Sequence, residues 1–143
     1  NGIAAHCLDF DDTHTDSIVH GSAIITPVLL ALGEELNSSG EELLIAFIGA
    51  WEVAARIGLA SKGTFHKRGF HTTSIAGIFG AVAAASKLLH LSENEIINAL
   101  GLAGSQTCGI NEYLSNSSSS KSMHAGWSAF SGILSIYFTS STV

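Results

Sequence analysis

Apolar residues return at helical spacing in several separate stretches of this chain, and nowhere do they alternate with period two over a strand's length. That pattern predicts an all-α domain of five or six helices. Gly2–Leu8 reads as a short apolar helical piece. A helix capped by Ser22 is expected to run to about Leu36, with Ile25, Val28, Leu29, Leu32 and Leu36 on one face. Pro27 lies inside it, and is tolerable near the first turn or else kinks the helix. After the turn Asn37–Gly40, Ser39 and Glu42 fit a capping box for a helix to about Leu59. The run Leu43–Ile48 is apolar nearly all round, which predicts a central position. Glu52 and Arg56 stand four apart and are expected to pair.

A polar, basic connection over Gly58–Gly69 follows, then a small-residue helix from Thr72 to Leu89. Ser92 and Glu95 make a second capping box, for a helix to about Ser105. Gly104–Ser120 reads as a Gly/Ser/Asn-rich loop. A last helix begins near Ser122 and carries Trp127, Phe130, Ile133, Leu134 and Ile136. No internal repeat is evident.

Size and charge narrow the function. A chain of 143 residues fits one domain and can bury roughly 68–70% of its unfolded surface. The net charge is −6 with six Lys and Arg, too few for a nucleic-acid face. Lys62, Lys67 and Arg68 crowd together with His66 and His71, and read first as a solvated loop. Cys7 and Cys108 make no CxxC or metal-ligand spacing. They are expected to be buried free thiols, implying a reducing, cytoplasmic setting. Ser122–Val143 lacks charge, but Ser, Thr, Gly and His124 interrupt it, so no membrane span is expected there. The chain opens on Asn1 in what reads as mid-helix and closes without a stop signal, so both ends are expected to be cut.

Against that apolar background, Asp9–His20 gathers four carboxylates, two histidines and three hydroxyl residues. Carboxylates are strongly hydrated and make poor filler in an apolar protein. The segment therefore reads as the lining of a polar site, or as a solvated loop in which Asp11, Asp12 or Asp16 caps the next helix. Two later motifs repeat the arrangement. His20-Gly21-Ser22, Gly69-Phe70-His71-Thr72-Thr73 and Lys121-Ser122-Met123-His124 each stand before an expected helix. Helix N-termini offer free N–H groups and a positive dipole end, so their convergence would make a pocket for a carboxylate-rich molecule. Taken singly, His71 and His124 read as packed residues and Lys121 as a solvated one.

Several of these segments together resemble the MmgE/PrpD family. The carriers are Ala5-His6-Cys7-Leu8-Asp9-Phe10-Asp11-Asp12-Thr13-His14 with His20-Gly21-Ser22-Ala23, then Pro27–Glu34, Ser39–Leu44 and Glu52–Gly58. They continue through Gly69–Thr73 and Ala99–Gln106 to Lys121–Gly126, so the resemblance covers essentially the whole chain. It implies a large helical domain with a smaller α+β lid, assembled as a homodimer. The implied chemistry is proton transfer on, or CO₂ loss from, a small polycarboxylate, without metal or cofactor. Dehydration of 2-methylcitrate is the first expectation; cis-aconitate decarboxylation and iminodisuccinate epimerisation are the alternatives.

The resemblance implies active-site roles for Asp9, Thr13, His20, His71 and Lys121. With the pocket reading, Asp9, His20, His71 and Lys121 become the catalytic candidates, and Thr13, Thr72 and His124 the substrate contacts. His20 and Asp9 are cast as the proton-transfer pair, with His71 and Lys121 holding carboxylates and developing charge. Gly21 departs from the family, which usually has Pro after that histidine. Family members are also much longer, so residues 1–143 correspond to part of the helical domain, without the lid. Two rival classes remain: a metal-dependent hydrolase using Asp11, Asp12, His20 and His71, and a non-catalytic helical association module.

Overall fold

The computed structural model describes residues 1–140, which form eight helices. They are α1 (Gly2–His6), α2 (Ser22–Leu36), α3 (Gly40–Ser61), α4 (Thr64–Lys67), α5 (Thr72–Leu88), α6 (Glu93–Gln106), α7 (Tyr113–Asn116) and α8 (Ser120–Ser140). Extended pairing among the described residues is confined to two isolated bridges, His14 with Val19 and Phe70 with Ile110. The all-α expectation holds. The two additional short helices, α4 and α7, lie in stretches read as loops, and at four residues each they are too short to show periodicity. The expected missing stop at the C-terminal end falls partly on residues 141–143, outside the described residues.

The central helix is α5, not α3. It packs against α2, α3, α6 and α8. Its small residues allow this close approach. A Cβ at Gly77 would stand 2.0 Å from Ile24 Cδ1, and one at Gly80 would stand 3.1 Å from the Ala50 carbonyl oxygen. α3 turns only Ala46, Ala50, Ala54 and Gly58 fully inward, while Leu44, Ile45 and Ile48 face out. Its all-round apolar pattern therefore reflects an unpartnered outer face. By length and hydropathy alone α3 could cross a membrane. Its small-residue stripe packs on α5 instead, and its exposed side carries the Glu52–Arg56 ion pair, a costly passenger in hydrocarbon.

Both capping boxes form, at Ser39/Glu42 and Ser92/Glu95. Ser22 does not cap α2. Gly21 holds the N-cap position, and the Ser22 N–H donates to Asp12 Oδ1 at 3.2 Å. The acidic stretch thus supplies the acceptor that a glycine cap lacks. Gly21 itself is explained by Trp51: a Cβ there would lie 2.6 Å from the indole. Pro27 is the sixth residue of α2, well past the first turn, within an unbroken helical span. Both cysteines are free, but Cys7 is exposed rather than buried, and Cys108 is half-buried.

Candidate active site

Three helices meet where the acidic stretch crosses the end of the bundle. α1 lies on α8 through a glycine pair: a Cβ on Gly2 would stand 3.0 Å from Gly126 Cα. That contact brings His6, the last residue of α1, to the start of α8. The acidic stretch is tied down by the His20 N–H, which donates to Thr73 Oγ1 at 3.1 Å. The His71 N–H donates to the Gly109 carbonyl at 2.9 Å, fixing the entry to α5. Gly109 has φ 110° and lies against Ser74 and His124, a position only glycine takes without strain.

Four imidazoles result, from segments far apart in sequence. The His6 ring is 4.8 Å from that of His20 and 5.7 Å from that of His71, which is 5.3 Å from that of His124. His71 Nδ1 and His124 Nδ1 are 3.2 Å apart, so one donates and the other accepts. The His6 Nδ1–H donates to Asp11 Oδ2 at 2.7 Å, and that oxygen is 3.6 Å from His20 Nδ1. Thr13 Oγ1 lies 3.1 Å from His20 Nδ1. Lys121 Nζ donates to both oxygens of Asp9, at 2.5 and 2.6 Å. Asp9 sits in the left-handed region with φ 58°, an uncommon backbone state often associated with functional sites.

Charge states follow from these contacts. The Lys121 N–H donors hold the Asp9 carboxyl below its usual range, outweighing desolvation. Burial, then facing His124, His6, Lys121 and His20, pushes His71 down to about 3, so it is neutral at ordinary pH. Burial lowers His20, while Asp11 pushes it back up. His124 is lowered by burial and then by His6. Tyr113, whose ring meets those of His71 and His124, has its phenol raised by burial and by the Asp9 charge.

The structure therefore brings Asp9, Thr13, His20, His71, Lys121 and His124 to one end of the bundle. Lys121 and His124 lie inside the first turns of α8, which starts at Ser120, not ahead of the helix as the motif suggested. Thr72 is different: it begins α5 but is fully buried, so its hydroxyl presents no surface to a ligand. The donor set of the rival hydrolase is not assembled, because Asp12 caps α2 and His71 is engaged by His124. Instead His6, Asp9, Asp11 and His20 each bring one ligand-type atom within 4.8 Å of the others, with the Lys121 ammonium already on Asp9.

Sequence reasoning missed His6, Asp11's role between two imidazoles, and Tyr113. The spacing of His6, five residues before Asp11 and closing an apolar helical piece, was the available signal. A cavity of about 680 Å³ lies elsewhere, between α3, α5 and α6. Its lining is mainly apolar and holds no comparable cluster of titratable side chains. A cavity of about 450 Å³ lined by Cys108, Ile110, Met123 and His124 adjoins that end.

The sequence matches the MmgE/PrpD N-terminal domain over residues 1–142. The chain belongs to the MmgE/PrpD family. Among its MmgE/PrpD relatives, human cis-aconitate decarboxylase is 41% identical over 108 residues, covering 72% of this chain and 22% of that protein. The mouse cis-aconitate decarboxylase is 43% identical over 109 residues, with the same coverage. The Aspergillus terreus cis-aconitate decarboxylase is 29% identical over 116 residues, covering 77% of this chain and 24% of that protein. The chain thus spans less than a quarter of the length of these relatives.

Proposed function

We propose that the protein carrying this chain is a lyase that moves a proton beside a carboxylate of a small polycarboxylate, with cis-aconitate decarboxylation as its reaction. The observation that carries this reading is the juxtaposition of a Lys121–Asp9 pair with His20 and three further imidazoles. The relatives' names favour cis-aconitate over 2-methylcitrate, the first expectation from the resemblance.

Decarboxylation of cis-aconitate breaks the bond between the CH₂ arm and its carboxylate. The freed electron pair forms a new C=CH₂ bond, and the old double bond's electrons move to the neighbouring CH carbon, which takes a proton. The products are CO₂ and methylenesuccinate. Negative charge develops beside a carboxylate, where the Lys121 ammonium would stabilise it. The proton comes from His20, whose pKa is lowered by burial against the opposing pull of Asp11. Asp9, kept ionised by Lys121, then orients that ammonium rather than transferring a proton. Neutral His71 and His124 share one hydrogen bond, which leaves the Nε2–H of the accepting ring for a substrate carboxylate, and the Thr13 hydroxyl offers a second donor. Thr72 acts through its place at the start of α5. Each step draws on this chain's side chains alone, without metal or cofactor.

The exposed apolar faces of α3 and α8, including Ile48, Trp127 and Phe130, support further coverage by the rest of the protein and association as a homodimer. Residues 1–143 by themselves are expected to be inactive, because the half-exposed site lacks a wall that excludes water. The test incubates the full-length protein and the isolated chain with cis-aconitate, 2-methylcitrate and iminodisuccinate, following CO₂ and product. Turnover of cis-aconitate by the full-length protein only is expected. Inactivity of the intact protein on all three, or loss of activity on chelation, would reject the reading.

A further inference from the structure

We propose that His6 is a positioning residue for proton transfer: by holding Asp11, it limits how far that carboxylate closes on His20. The proposal rests on His20 being the proton-transfer group described above. His6 closes α1 with its side chain wholly out of solvent. Asp11 Oδ2 is contested by two imidazoles, and His6 holds the shorter contact, 2.7 Å against 3.6 Å for His20. The His6 ring also stacks on His71, with 17° between the planes.

Core filling alone does not account for an imidazole here. A leucine would occupy similar space without a polar cost. His6 Nε2 and Asp11 Oδ1 are both buried without a hydrogen-bond partner among the described residues, and each such atom costs about 1–3 kcal/mol. Two unpaired atoms on one hydrogen-bonded pair mark a place where packing was not the sole requirement.

The groups facing His20 set the direction of the effect. They are Asp9 and Asp11 of the acidic stretch, His6 of α1, His71 at the start of α5, and Lys121 of α8. The two carboxylates favour protonated His20, while His6 and Lys121 oppose it. Removing the His6 imidazole frees the Asp11 oxygen to close on His20. The nearer carboxylate makes His20 hold its proton to higher pH.

The experiment compares His6→Leu and His6→Asn in the full-length protein. The two replacements are nearly equal in size, but only asparagine keeps an N–H donor where Nδ1 stood. Imidazole NMR titration of His20 and the pH profile of kcat/KM with cis-aconitate are read together. In His6→Leu, the His20 titration and the alkaline limb of the profile, where the proton donor is lost, should move to higher pH, with a roughly tenfold gain of kcat/KM on that limb. His6→Asn should undo most of that shift, because it keeps an N–H donor to Asp11. An unmoved His20 titration, or equal shifts in both variants, would overturn the proposal. Should His6→Leu fail to fold, the unsubstituted protein decides: nitrogen-correlated NMR should place the His6 proton on Nδ1, and a proton on Nε2 would overturn it. The NMR readouts hold even if cis-aconitate is not the substrate, so the two readings fail separately.

Discussion

The two sides of α5 are built on opposite terms. At its N-terminal end, polar side chains are buried and most find one another: His71 with His124, His6 with Asp11, Ser74 with Ser128 at 2.9 Å. Along α3, small residues are buried and the large aliphatics are left outside. The polar end assembles its cluster from this chain alone. The α3 face is apolar surface that nothing within the described residues covers. The difference separates what this chain determines by itself, a cluster of imidazoles and carboxylates, from apolar surface that it leaves uncovered among the described residues. Gly58 joins the two sides: a Cβ there would stand 2.5 Å from the Ser17 carbonyl oxygen of the acidic stretch, so α3 braces the site through bare backbone.

The largest effect should come from Lys121→Met, which keeps the side chain's length and removes its charge. In the full-length protein kcat/KM should fall about 10²–10³-fold, as for loss of one preorganised charge-stabilising donor. The melting temperature should change little, because the Lys121–Asp9 pair is partly exposed and such pairs contribute about 0–1 kcal/mol. Steady-state kinetics and a thermal melt on the same sample check this. Unchanged kcat/KM would place the chemistry elsewhere and erase the functional half of the comparison.

The next effect concerns pH. His71 is ordinarily near 6.5 and is held at about 3 in the fold, chiefly by burial. The unfolded chain binds that proton first, so the stability His71 contributes is full above about pH 6.5 and is lost as pH falls toward 3. The slope approaches about 1.4 kcal/mol per pH unit. Urea unfolding of wild type and His71→Gln at pH 7.5, 6 and 5 should show a flatter acid slope in the variant. Parallel slopes would mean that His71 is not desolvated, and that the polar end is no more acid-sensitive than the rest.

Legibility in the sequence divides along the same line. Helical spacing and the Ser-x-x-Glu caps are local signals, and they located α2, α3, α5, α6 and α8 close to their observed bounds. The convergence of His20, His71 and Lys121 was legible because each sits at or near the entrance to a helix, and that of Asp9 because it belongs to the acidic stretch leading to His20. What stayed hidden depends on contacts across the chain. His6 looked like part of an apolar helix until α1 was laid on α8. Asp12 and Asp11 looked alike, yet one caps α2 and the other bridges imidazoles. Thr72 shares a motif with His71, but the first residue of a packed helix turned it into the core. α3 was read as central because hydrophobicity records which side chains avoid water, not which covering they find in this chain.

That last misreading can be measured, with the smallest expected effect. Ile48 is 67% exposed on the outer face of α3, whereas Ala54 is wholly buried against α5. In residues 1–143, Ile48→Ser should therefore change stability by no more than about 0.5 kcal/mol, the ordinary range for an exposed position. Ala54→Leu adds carbon to a site where Gly80 already approaches so closely that its own Cβ would stand 3.0 Å from Ala54 Cβ. It should cost about 1–3 kcal/mol through overpacking. Urea midpoints of the two variants give the ratio directly, and light scattering should show Ile48→Ser associating less than the parent. If the costs came out reversed, the aliphatic side of α3 would be the one facing α5. The site's bracing through Gly58 would then fail with it, because Gly58 shares the Ala46–Ala50–Ala54 stripe.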